Sequence, residues 1–237
     1  LYAHSPERDW ESDHETPHAA RERGCRDIAS QLVDANIDVA LGGSRKSFFG
    51  ANYGGERLDP DANLPREWLK AAPNRRYVEA AAELGELRPG EQVLGLFAHS
   101  HMSFVAELEE DSTEPSLREM TAAAIRQLEG NTRGYFLMVE GGRIDHGHHD
   151  GKPGYAMLET QAFSRAVAAA LEALAEFSAA ELPGELPDIS GSLSLLLGKA
   201  EAAAAAEAAE EVRERLVASG VEQMPEIVFG DEGIVAA

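Results

Sequence analysis

The sequence predicts an α/β fold, a mainly parallel sheet with helices on both faces, and three observations carry that prediction. Apolar runs at Val39-Ala40-Leu41, at Gln92 to Phe97 and at Tyr135 to Val139 read as strands. Helix-forming stretches separate them, and strands that alternate with helices pair in parallel through right-handed crossovers. The third run, Tyr135-Phe136-Leu137-Met138-Val139, shows no polar alternation, as a strand covered on both faces would not.

From the N-terminus, Thr16 to Ala35 reads as one helix, with Ala19, Ala20, Ile28, Leu32 and Val33 partly on one face. It leads to the strand at Val39, which Gly42-Gly43 ends. The glycine-bearing run from Gly50 to Pro60 reads as a surface excursion. After the strand at Gln92, a helix is predicted from Pro115 to Leu128, with proline near its first turn. A helix from about Tyr155 to Phe177, rich in Ala and Leu, would pack on the sheet as scaffold.

The chemistry gathers where the third run ends. Glu140 falls at its carboxyl end, where open α/β sheets place their ligands, and Gly141-Gly142 turn the chain. A helix beginning near Ile144 puts Asp145 and His149 four residues apart on one face, so both can reach one cation. A carboxylate with an imidazole suits zinc, and a nearby hard carboxylate such as Glu140 suits magnesium. The blander alternative makes Gly147-His148-His149 a solvated turn.

Length allows one α/β domain over residues 1–176, followed by a linker and helical tail of unknown role over 177–237. Phe177 to Gly191 carries Pro, Gly and acids, and Lys199 to Ser219 is rich in the strong helix formers Ala and Glu. Glu226 to Gly230 could form a short strand. With 42 acidic against 21 basic residues, the formal charge of −21 repels nucleic-acid phosphates and anionic membranes, which excludes polymer binding and membrane association. The bases are mainly Arg, with Lys only at 46, 70, 152 and 199, a balance expected of a salt-adapted surface. Cys25 is alone, so no internal disulfide forms. No signal peptide or membrane span is visible in these residues.

Val139-Glu140-Gly141-Gly142-Arg143-Ile144-Asp145-His146-Gly147-His148-His149 strongly resembles the signature of alkaline phosphatases, the two-zinc, one-magnesium phosphomonoesterases. Further landmarks follow that family's order: Tyr2-Ala3-His4 through Arg8-Asp9-Trp10, Gly24 to Ala29, Leu41 to Lys46, Leu94 to Phe97, and Glu114-Pro115-Ser116-Leu117. The resemblance covers about residues 1–176 and implies an alkaline phosphatase-like core, here incomplete. It implies that Glu140 is a magnesium ligand, that Asp145 and His149 bind the same zinc, that His146 stands near the phosphate of a phosphate monoester substrate, and that Arg8 clamps that phosphate. A planar guanidinium suits the last task, since its fork meets two phosphate oxygens at once.

The resemblance also implies parts that these residues do not supply. No serine stands in the family's Asp-Ser-Ala nucleophile setting, so no catalytic residue is identified, and no Asp-His pair follows residue 150. Ala98-His99-Ser100-His101 has Ala where a ligand Asp should stand, and reads as a surface loop; Glu114 could serve the calcium site of some relatives, but Ala98 again lacks the partner carboxylate. The expectation is little or no phosphomonoesterase activity from these 237 residues alone. Family likeness further implies a homodimer and a periplasmic or extracellular location. Two rival readings remain: a noncatalytic or engineered α/β module that retains a remnant metal site, and a related phosphodiesterase or sulfatase-type metalloenzyme.

Overall fold

The computed structural model describes residues 2–180, and the expectations for the tail from 181 to 237 lie outside the described residues. Its framework is a three-stranded, fully parallel sheet in the order β1-β3-β2, with β1 at Val39–Gly42, β2 at Arg75–Val78 and β3 at Gln92–Leu96. Central β3 pairs Val93 with Val39 on one side and with Arg76 on the other.

Strand alternation sorts the apolar side chains onto two faces. Leu94 and Leu96, with Ala40 and Tyr77, meet Ala29, Phe48, Phe49 and Trp68 on one face. Val93, Phe97, Val78 and Leu41 meet Leu84, Met120 and Ala123 on the other. Gly95 lies under Phe97, where a Cβ would stand 2.6 Å from that ring and 2.7 Å from Leu41. The helices therefore cover both faces, as predicted.

The single helix expected over Thr16 to Ala35 is two short ones, α1 (His18–Glu22) and α2 (Ile28–Asp34). Gly24 breaks the run at φ +85°, a left-handed conformation that glycine adopts without steric cost. Asp27 then restarts it as N-cap, accepting the Ser30 N–H at 2.9 Å. Carbonyls of Trp10 and Glu11 take the next two free N–H groups, of Ile28 and Ala29.

One α-helix and one strand went unanticipated. Helix α3 (Leu64–Ala71) starts on an Asn63 cap, and its Trp68 is buried. β2 is masked in the sequence by Arg75 and Arg76, but Arg75 lies 4.9 Å over the Trp68 ring and donates to the Trp68 carbonyl at 2.8 Å. Helix α4 (Leu117–Leu128) begins with a reciprocal capping box between Ser116 and Glu119. Helices α5 (Arg143–His149) and α6 (Pro153–Ala180) stand close to their expected positions.

The third expected strand is corrected. Residues 135–139 form no strand, and Phe136 and Met138 are 65% and 59% exposed. Period reading failed there because an unbroken apolar run signals burial only when neighbouring strands exist to cover it, and among the described residues β1 pairs only with β3.

Candidate functional site

A cavity of about 460 Å³ opens beside β1. Gly42, Gly43 and Ser44 reach it from the carboxyl end of β1, and Ser100, His101 and Met102 from the loop after β3. In a parallel α/β sheet this is the end at which ligands bind. Leu137 to Gly142, the first turn of α5, Met120 of α4 and Glu159 of α6 also line it.

Ser44 occupies the left-handed region at φ 61°, a conformation that costs a residue with a Cβ about 1 kcal/mol. Its hydroxyl donates to Glu11 at 3.0 Å and lies 3.1 Å from the Ser47 hydroxyl, which fixes the turn after β1. Ser44 stands in the Leu41 to Lys46 landmark, but nothing in that landmark assigned it to a cavity, and Glu11 carried no signal in the sequence.

Helix α5 carries the predicted chemistry. Asp145 Oδ2 and His149 Nε2 lie 3.4 Å apart, one turn from each other, and both side chains are largely exposed. His146 turns into the cavity, where its Nδ1 lies 2.8 Å from Arg143 Nη1. The His101 ring packs on His146 with centroids 4.4 Å apart. His101 thus sits on an exposed loop as expected, yet touches a cavity-lining imidazole; burial, then the neighbouring His146 ring and the positive charge of Arg143, hold its pKa below the usual histidine value.

Gly147 explains why the motif can approach the scaffold. It is buried, and a Cβ there would stand 2.8 Å from the backbone nitrogen of Ala156 on α6. Glycine in this position lets α5 lie directly on α6 and project Asp145 and His149 from its free side.

The other nominated residues fall differently. Glu140 lines the cavity with an exposed carboxylate, close to Gly142. Arg8 has a side chain 95% exposed, pairs loosely with Asp9 at 4.0 Å and does not line the cavity. Glu114 spends both carboxylate oxygens on Ser103, accepting its N–H and its hydroxyl at 2.8 Å each.

A zinc ion is served in part by this arrangement. Donor types and spacing at Asp145 and His149 suit it, but a tetrahedral ion takes three or four protein ligands. Among the described residues no three His, Cys, Asp or Glu side chains gather closely enough to hold a metal. The fit is that of a half-site.

The architecture and the cavity define an α/β chain that puts acids and imidazoles at the carboxyl ends of a parallel sheet. A family profile described as alkaline phosphatase matches residues 1–180, and the chain belongs to the alkaline phosphatase family. It is 46% identical over 185 residues to the tissue-nonspecific alkaline phosphatase of Gallus gallus, covering 70% of this chain and 35% of that protein. It is 40% identical over 183 residues to the alkaline phosphatase of Gadus morhua, covering 70% and 38%. The chain thus spans about a third of the length of these curated relatives. Among solved structures it is similar to the Thermus thermophilus alkaline phosphatase, with a TM-score of 0.53 and 31% identity over 67% of this chain and 30% of that one. A cold-active enzyme from a Shewanella species gives 0.52 and 27% over 63% and 33%.

Proposed function

We propose that the chain is part of a metal-dependent hydrolase of phosphate monoesters, and that it carries one portion of that enzyme's site. Asp145 and His149 share a zinc ion, Glu140 contributes a magnesium ligand, and His146 and Arg8 face the substrate phosphate. The observation that carries this reading is the contact between Asp145 and His149 at 3.4 Å, on the helix that borders the cavity at the sheet's carboxyl end. Family membership supports it.

Zinc, when bound, supplies Lewis-acid polarisation and neutralises charge at a phosphoryl group. This chain's residues hold the carboxylate and imidazole donors on a fixed helical face and keep the His146 ring at the cavity wall. Arg8 needs to move from its exposed position to reach the same cavity, and its guanidinium would then meet two phosphate oxygens. The active enzyme is a homodimer in the periplasm or outside the cell. Among the described residues no helix is long and apolar enough to cross a membrane.

The test is hydrolysis of an aryl phosphate by the 237-residue chain with zinc and magnesium added. Turnover at the uncatalysed level is expected, because no serine stands in the nucleophile setting. Turnover that Asp145→Ala abolishes would overturn the claim that these residues are inactive alone.

A further inference from the structure

Arg143 and His146 are three residues apart on α5 and so share a face of the helix. The contact between them is directional. A guanidinium has five N–H donors and no acceptor, so the 2.8 Å approach of Arg143 Nη1 to His146 Nδ1 is a hydrogen bond that Nδ1 accepts. An imidazole that accepts at Nδ1 carries its proton on Nε2.

The guanidinium that sets this arrangement is itself held in place. Its carbon lies 3.6 Å from the centroid of the Phe104 ring, a cation resting on an aromatic face. Its Nε is buried with no hydrogen-bond partner, so one donor in the cavity wall is unspent. The His101 ring also packs against His146, with centroids 4.4 Å apart.

We propose that Arg143 is a positioning residue: it holds the His146 imidazole in its Nε2-protonated form, so that Nε2–H is the donor the ring offers to a phosphate-type anion in the cavity. The choice of anion rests on the proposed reading in which His146 faces phosphate; the clamp itself rests on the Arg143 contact. Phe104 acts through Arg143, and none of these residues needs to gain or lose charge.

The experiment is nitrogen NMR of the full chain labelled at histidine, with the His146 signals assigned by their loss in His146→Gln. The wild-type ring is expected to show a protonated Nε2 and a lone-pair Nδ1. In Arg143→Met, which keeps side-chain bulk without the donor, the ring is expected to become a mixture of both forms, and Arg143→Lys is expected to restore the wild-type form in part. A protonated Nδ1 in the wild-type chain, or an unchanged ring in a folded Arg143→Met chain, would overturn the clamp. Should Arg143→Met fail to fold, the wild-type spectrum still decides. Inorganic phosphate added to the wild-type chain is expected to shift the Nε2 signal. No shift would overturn the phosphate reading while leaving the clamp intact.

Discussion

Asp27 and Arg57 meet as a buried two-point ion pair across 30 residues of chain, with Nη1 to Oδ1 at 3.0 Å and Nη2 to Oδ2 at 3.1 Å. Asp13 adds a third carboxylate contact at 3.4 Å, and the Ser47 carbonyl accepts from Nη1 at 2.9 Å. Arg57 thereby ties the Gly50 to Pro60 excursion to the start of α2, and that excursion is anchored even though most of its residues are exposed.

Asp27→Asn keeps a side-chain oxygen to cap α2 but removes the charge facing Arg57. Leaving a buried guanidinium short of a partner is expected to cost about 3 kcal/mol, read from urea unfolding at neutral pH. Burial raises the Asp27 pKa, but hydrogen bonds from Arg57 and Ser30 outweigh burial and leave it below the ordinary value. A carboxyl lowered on folding stabilises fully above its unfolded pKa and loses that contribution as pH falls through the folded one. The stability gap between wild type and Asp27→Asn should therefore close only on the acid side of 3.8, the ordinary value. A gap that closes near neutrality would refute the ion pair as its source.

Glu159 on α6 has the opposite sign. Burial raises its pKa, and the Val105 N–H that it accepts at 2.6 Å and the charge of Arg143 recover only part of that. A carboxyl raised on folding destabilises the fold once pH exceeds the unfolded value, and the penalty is complete above the folded one. Glu159→Gln, which can still accept from Val105, is expected to gain stability relative to wild type as pH rises through that window, by about 1 kcal/mol or less. Thermal melts across mildly acidic to neutral pH check the slope; a constant difference would reject it.

Gly147→Ala places a Cβ against the Ala156 backbone nitrogen, which cannot rotate away. The expected loss is about 1–3 kcal/mol, the usual range for overpacking, with α5 displaced from α6. Gly154→Ala, where nothing stands within 4 Å, is the control. Equal melting temperatures for the two variants would count against the close approach.

Zinc uptake by the wild-type chain is expected to be weak, as two donors leave the ion incompletely held. Asp145→Ala and His149→Ala should each abolish it in calorimetric titration, and His148→Ala should not. Uptake that survives both would place the zinc donors elsewhere.

The sequence announces what depends on short-range pattern. Asp145 and His149 could be paired in advance because helical spacing alone puts them together. Strands β1 and β3 were visible as apolar runs, whereas β2 was hidden because Arg75 uses its aliphatic stem and charge on Trp68, a contact made only by tertiary folding. Gly24 broke a helix that apolar spacing had drawn as continuous. Ser44, Glu11 and His101 reach the cavity from three separate segments, so their meeting could not be read from any one of those segments, and His101 was set aside as a surface-loop residue. The fate of Tyr135 to Val139 depends on what lies alongside it, which lies beyond any single stretch of residues.

That last stretch bears on how the protein behaves in the tube. Its exposed Met138 lines the same cavity as Val39 and Leu41 of β1, a strand whose peptide groups pair on one side only among the described residues. Bare edges recruit extended chains from whatever solution surrounds them, and hydrophobic neighbours make each capture harder to reverse. Self-association at high concentration is therefore expected to start from this margin of the sheet, whatever the strength of the core behind it.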